Sequence, residues 1–117
     1  MTSEELKLRT KQFALRVIKL VESLSQNQSS YVLGRQLLRS ATSVGANYRS
    51  ACRARSQADF ISKITVVEEE ADESAYWLEL ITESGLMKKD LIEDLLKEAN
   101  ELTAIFTASG KTARKNK

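Results

Sequence analysis

The sequence predicts an all-α fold, an antiparallel up-down four-helix bundle, on three observations. Proline is absent and glycine stands only at 34, 45, 85 and 110, so nothing imposes the frequent tight turns of an all-β chain. Apolar residues recur at alternating steps of three and four through four long stretches, the period of helices with one buried face. The polar links between these stretches are short, which favours neighbouring helices running in opposite directions. A chain of 117 residues has room for one domain around one core.

The first helix opens where Thr2 precedes Glu5 by three residues, a capping-box spacing, and runs to about Leu24. Its stripe is Phe13, Val17, Leu20 and Leu24, flanked by Leu6, Ala14, Ile18 and Val21. The turn formers from Ser25 to Ser30 make the first loop, with Ser29 or Ser30 expected to cap the second helix, about Tyr31 to Ala54. That helix carries Leu37, Ala41, Val44, Tyr48 and Ala51 on its seam, beside Leu38, Gly45 and Cys52. So many small residues suit a central helix that its neighbours approach closely. Ser56 and Asp59 repeat the cap spacing and open the third helix, about Gln57 to Ser84, with its seam at Phe60, Ile64, Val67, Ala71, Ser74, Leu78 and Ile81. Gly85 stands where a left-handed C-terminal cap belongs. Asp90 and Glu93 give a further cap-like pair before a fourth helix with Leu91, Leu95, Ala99, Leu102 and Phe106 on its seam. Residues 1–108 form the expected bundle, and the basic tail 109–117, which lacks an apolar period, is expected to be disordered.

Composition narrows the function classes. With no histidine and a single cysteine, Cys52, the usual zinc and haem ligand sets and an internal disulfide are missing, and no cofactor is expected. Cys52 has no histidine to activate it and is expected as a buried core thiol. No stretch approaches the ~20 apolar residues of a membrane span, and the start, Met1-Thr2-Ser3-Glu4-Glu5, is acidic where a secretory leader begins basic, so a cytoplasmic protein with no membrane partner is expected. General acid–base work would fall to carboxylates or lysines with no pocket-forming loop, and an enzyme is not expected.

The net charge of +2 hides a partition: residues 1–57 hold ten basic and three acidic side chains, residues 58–104 four basic and thirteen acidic. Arg35, Arg39, Arg49 and Arg53 fall within about 80° on the outer face of the second helix at ~100° per residue. No acid occurs between Glu22 and Asp59, so this stripe finds no partner within its own helix. Two readings stay open. Arginine's planar fork suits phosphate, whereas Glu68, Glu69, Glu70, Asp72 and Glu73 of the third helix could pair with the stripe within or between protomers. Arg55 projects toward the apolar side at the end of the second helix and is expected to cap or pair locally, with an early acid of the third helix. On the third helix Val66 and Trp77, with Glu70 between them, lie ~100° from the seam, too wide for one core. This flank is read as a subunit interface, with edge coverage of the chain's own core as the alternative.

The run from Gly34 through Arg49, with its Gln36-Leu37-Leu38-Arg39-Ser40-Ala41-Thr42-Ser43-Val44-Gly45-Ala46-Asn47 core, and then Arg55-Ser56-Gln57-Ala58-Asp59-Phe60, Glu73 and the stretch from Leu80 to Leu86, resembles the bacterial four-helix-bundle proteins named for intervening sequences in 23S ribosomal RNA genes. The resemblance covers most of residues 10–106. It implies an up-down bundle in a ring-like homo-oligomer, a pentamer, and a link to ribosomal RNA. Related accessory proteins of diversity-generating retroelements are strongly basic rings that bind nucleic acid and a reverse transcriptase. This chain differs from them in its Glu68-Glu69-Glu70 run and near-neutral balance, and has Gly45 where many members have proline. The expected function is therefore a non-catalytic homo-oligomeric module that binds RNA through Arg35, Arg39, Arg49 and Arg53. The alternative is a structural or adaptor ring for a protein partner such as a reverse transcriptase, its arginines used for assembly.

Overall fold

Three of the four helices begin at a side-chain cap. In a computed structural model describing residues 1–116, the elements are α1 (Ser3–Glu22), α2 (Gln28–Ala51), α3 (Gln57–Glu83) and α4 (Lys89–Lys115). The Thr2 hydroxyl accepts from the Glu5 amide at 3.1 Å, and the Ser56 hydroxyl accepts from the Asp59 amide at 3.0 Å. Asp59 also ties the α2–α3 turn to the helix start, its Oδ2 accepting the amide of Arg55, the residue before the cap, at 3.1 Å. Gly85, with φ +79°, takes the left-handed cap after α3.

Two expected caps differ. Asn27 rather than Ser29 or Ser30 caps α2, its side-chain oxygen accepting from the Ser30 amide at 2.9 Å, so α2 starts three residues early. At α4 the cap position is Lys88, with no side-chain hydrogen bond.

The expected seams form one core, in which Phe13, Val17, Leu37, Val44, Ile64, Val67, Leu78, Leu102 and Phe106 are almost wholly buried. The fourth seam starts one residue later than expected. Leu91 is 65% exposed and Ile92 takes the core position. Four helices packed together in this way give an elongated body of 47 × 20 × 20 Å.

α2 meets α1 on one side and α3 on the other, and α3 in turn packs on α4. A buried hydroxyl pair, Ser40 with Ser74 at 2.9 Å, joins α2 to α3 and leaves neither oxygen unpaired. α1 and α4 meet least, and there Arg9 supplies a clasp, its Nε and Nη2 each donating to a different Glu98 oxygen at 2.7 Å. The hydrogen bonds it donates to Glu98 hold the Arg9 guanidinium pKa above its ordinary value, against burial.

The tail expected to be disordered continues α4 instead, and only Lys117 lies outside the described residues. Gly110 and Ala113 are buried, and the Gln57 side chain donates to the Ala113 carbonyl at 2.7 Å. Gly110 packs against Ile64, where an added Cβ would stand in ordinary contact, 3.6 Å from Ile64 Cγ2. Glycine and alanine carry little apolar signal, so a packed helical end reads in sequence as a polar tail. Cys52 also departs from expectation. It is exposed, because α2 ends at Ala51 and the last core position goes to Ala51 itself.

Gly45 marks the close approach of α1 to α2. An added Cβ would stand 3.2 Å from Thr10 Oγ1 and 3.4 Å from Thr10 Cβ. Thr10 is fully buried and its hydroxyl donates to the Leu6 carbonyl at 2.8 Å, so it has little room to retreat. Gly45→Leu is expected to destabilise by ~1–3 kcal/mol through overpacking. Gly45→Ala, which gains up to ~1 kcal/mol of helix propensity against mild crowding, is expected to stay close to the parent. Thermal melts of both variants check this, and an unchanged melting temperature for the leucine variant would contradict the close approach.

Candidate functional site

The arginines of α2 are divided by what α3 and α1 bring to each of them. At its N-terminal end, Arg35 lies over the ring of Tyr31, 5.4 Å from the centroid, and its Nη1 donates to the Tyr31 hydroxyl at 3.2 Å. One turn on, Arg39 leans toward α3, pairs with Glu70 Oε2 at 3.4 Å and makes a closer ion pair with Glu73. Glu70 is mostly buried, and burial raises its carboxyl pKa despite the opposing pull of Arg39. Much of the Arg39 charge is therefore matched within the chain.

Arg49 and Arg53, in the last turn of α2 and just beyond it, differ. They open onto a depression of about 690 Å³ also lined by Lys7 of α1, Arg55 of the α2–α3 turn and Lys63 of α3. Lys7 and Arg49 line a second depression beside it, with Lys11 and Glu4. Six cations thus converge at one end of the body. Two have partners, Lys7 with Glu4 and Lys63 with Asp59, each at 3.1 Å. Among the described residues Lys11, Arg49, Arg53 and Arg55 form no ion pair.

The sequence pattern reached Arg49 and Arg53 but missed Lys7, Lys11 and Lys63, which come from other helices. Arg55, expected to turn toward the apolar side and pair locally, is exposed instead: its backbone amide engages Asp59, and its side chain joins this cluster. The signal was present in the Ser56–Asp59 cap, which fixes where α2 turns back and so which residues meet at that end.

The flank read as a subunit interface is partly used within the chain. Trp77 packs against the core and its indole N–H donates to Glu73 Oε1 at 3.2 Å, so Glu73 serves both Trp77 and Arg39. Tyr76 meets Trp77 edge-on at 5.1 Å between ring centres, and Val66 is 38% exposed. Tyr48, buried against Phe106, has its hydroxyl pKa raised first by burial and then by the neighbouring Cys52. Among the described residues no cluster of three or more Asp, Glu or Cys side chains could hold a metal ion, and no helix is long and apolar enough to cross a membrane.

Four long helices around one core, with cations gathered at one end, define a small all-α bundle protein. The chain belongs to the 23S rRNA-intervening sequence protein family, whose model matches residues 5–108. It is similar to a protein of unknown function from the S23 ribosomal protein family of Bacteroides thetaiotaomicron VPI-5482, at 35% identity and a TM-score of 0.83, over 90% of this chain and 97% of that one. No curated protein matches.

Within the basic end, Asp59 is the acid whose ionisation the fold favours. The Arg55 amide, and then the Lys63 ammonium, hold its carboxyl pKa below the ordinary value. A depressed carboxylate contributes stability above its unfolded pKa that is lost as pH falls through its folded value. Asp59→Asn should therefore melt lower than the parent at neutral pH, and the difference should shrink as the solution is acidified through the carboxylate range. Thermal melts across that range check it, and a difference independent of pH would contradict the assignment.

Proposed function

We propose that this protein is a non-catalytic, cytoplasmic binding module whose ligand is RNA, held by its phosphates at the basic end of the bundle. The observation that carries the reading is the convergence of Lys11, Arg49, Arg53 and Arg55, without ion-pair partners among the described residues, on one open surface. Open, cationic and shallow suits a polyanion's backbone better than a small substrate. The family's name, which refers to 23S rRNA, is consistent with such a ligand. Of the four arginines expected to bind, Arg49 and Arg53 keep the phosphate role, and Arg39 is assigned to holding α2 on α3.

The chain is further read as an antiparallel up-down bundle assembled into a homo-oligomer, a pentamer by resemblance. Support for the antiparallel course comes from the close approaches of Thr10 to Gly45 and of Val21 and Leu24 to Gly34, and from Gln57 bonding to Ala113. Support for assembly comes from apolar side chains on the α2–α3 flank, among them Val32, 51% exposed, Val66 and Tyr76, beside Trp77 and Glu70. The same flank favours the second reading, an adaptor ring for a protein partner such as a reverse transcriptase, since Arg39, Glu70 and Glu73 already form a polar lock there.

Two measurements test this. Light scattering at micromolar concentration should give a mass several times 13.1 kDa, and a monomer would overturn the assembly. In filter binding across a salt series, replacing Arg49 and Arg53 by glutamine should weaken binding to single-stranded RNA and reduce the slope of log affinity against log salt by about 1.4, two contacts at ~0.7 each. Arg39→Gln should change the slope far less. If the Arg49 and Arg53 variant binds RNA like the parent but dissociates into monomers, those arginines serve assembly and the adaptor reading takes first place.

A further inference from the structure

The end of the bundle opposite the cationic cluster holds a cleft of another kind. It lies where α1 turns into α2, has a volume of about 460 Å³, and has apolar walls from Val21, Leu24 and Leu38. Tyr31, 65% exposed, stands at its mouth with Arg35 over its ring. Glu22 and Gln26 add acceptors and an amide donor, and Ser30 lies in the lining.

Ser30 is the unusual member. Among the described residues the buried serines and threonines are Thr10, Ser30, Ser40 and Ser74, and three of them are paired: Thr10 with the Leu6 carbonyl, Ser74 with the Glu70 carbonyl, and Ser40 with Ser74. The Ser30 Oγ is buried with no hydrogen-bond partner. Its place in α2 explains this. Ser30 is the third residue of the helix, so the residue four before it, Gln26, lies outside the helix and cannot offer the back-bonding carbonyl that serves Ser74 and Thr10. A buried hydroxyl with neither protein partner nor helical outlet, beneath the wall of a cleft, is free to turn toward a polar atom of an occupant.

We propose that this cleft takes an unpaired nucleobase that carries an exocyclic amine where guanine and uracil carry a carbonyl, adenine or cytosine, from the RNA whose phosphates the other end holds. The strand in this proposal rests on the RNA reading above; the pocket rests on its own geometry. Apolar walls and a Tyr–Arg platform accept a flat π-face, and mixed donors and acceptors accept the edge of a heteroaromatic ring. The Glu22 carboxylate accepts from an amine and repels the carbonyl that uracil presents at the equivalent position. Arg35 is on the same outer face of α2 as Arg49, about 21 Å away along the axis at ~1.5 Å per residue, so a single strand can reach both ends. An unpaired base can enter the cleft, whereas a duplex keeps its bases stacked.

The test uses the full chain and calorimetric titration with AMP, CMP, UMP and ribose 5-phosphate. AMP or CMP should bind more tightly than UMP, and the sugar phosphate should give no saturable signal. Tyr31→Ala should weaken AMP about tenfold and Tyr31→Phe should restore it. Ser30→Ala should weaken AMP while melting no lower than the parent, since it removes an unpaired buried hydroxyl. A companion pair of oligonucleotides, adenine-bearing and abasic, separates the two readings. The parent should prefer the former, Tyr31→Ala should lose that preference, and the Arg49 and Arg53 glutamine variant should weaken both strands alike. Loss of the base preference in the parent, with AMP silent, overturns the pocket and leaves the phosphate reading standing. AMP binding with no RNA binding upholds the pocket and overturns the phosphate reading. If AMP is silent and Tyr31→Ala breaks the oligomer, the cleft is filled by a second copy of the chain and the proposal fails.

Discussion

The structure depends on one packing constraint: α2 has to be approached closely by α1 on one side and α3 on the other. Large side chains on both sides would hold the neighbours apart and split the core. The chain solves this with small residues at the contacts. Gly34 admits Val21 and Leu24, Gly45 admits Thr10, and Ser40 admits Ser74, while Ala41 and Ala51 are almost wholly buried between them. The larger seam residues Leu37, Val44 and Tyr48 then fill the core behind these contacts. Because both flanks of α2 are occupied, its remaining face must look outward, which is why Arg49 and Arg53 are exposed.

The same constraint governs the electrostatics. The basic first half and the acidic second half of the chain meet across helix contacts, as Arg9 with Glu98 and as Arg39 with Glu70 and Glu73. At Glu70 burial outweighs the favourable field of Arg39, so this contact is bought at some cost to the carboxylate. The pairing runs out at the α2–α3 turn. There α3 offers only Asp59 in its first turn, and Asp59 is already engaged by the Arg55 amide and by Lys63. The cations at that end are in excess because the next acid of α3 after Asp59 is Glu68, about two and a half turns further along.

How far the sequence could be read follows from the strength of each signal. The helices and the core were legible because large apolar residues repeat with helical period, and the Thr2 and Ser56 caps and Gly85 punctuate them in a recognisable way. Positions with weak signals misled. Gly110 and Ala113 look like a disordered tail until Ile64 and Gln57 are seen against them. Leu91 looks like core until Ile92, one residue on, is found to take the position. Cys52 looks buried because it adjoins the seam, but the helix stops before it. The candidate site was half legible. A stripe within one helix can be drawn on a helical wheel, whereas the joining of Arg49 and Arg53 to Lys7, Arg55 and Lys63 is a tertiary fact, as is the removal of Arg39 by two glutamates.

The two ends of the body differ in kind, and the difference bears on what one ligand could use both. At the cationic end charge is abundant and enclosure is slight, an arrangement that attracts a polyanion without regard to its sequence. At the α1–α2 junction enclosure is greater, Arg35 and Glu22 oppose one another in sign, and polar atoms of both hydrogen-bonding senses share the space with apolar walls. Such a cleft gains little from net charge and much from the shape and edge of its occupant. On the proposed reading, phosphate contacts supply most of the affinity and the cleft supplies the preference. A rigid α2 fixes the distance between them, so the spacing between an unpaired base and the nearest held phosphates becomes part of what is recognised. Repetition of the pair around an oligomer would add avidity without any new contact, provided one strand can engage neighbouring copies together.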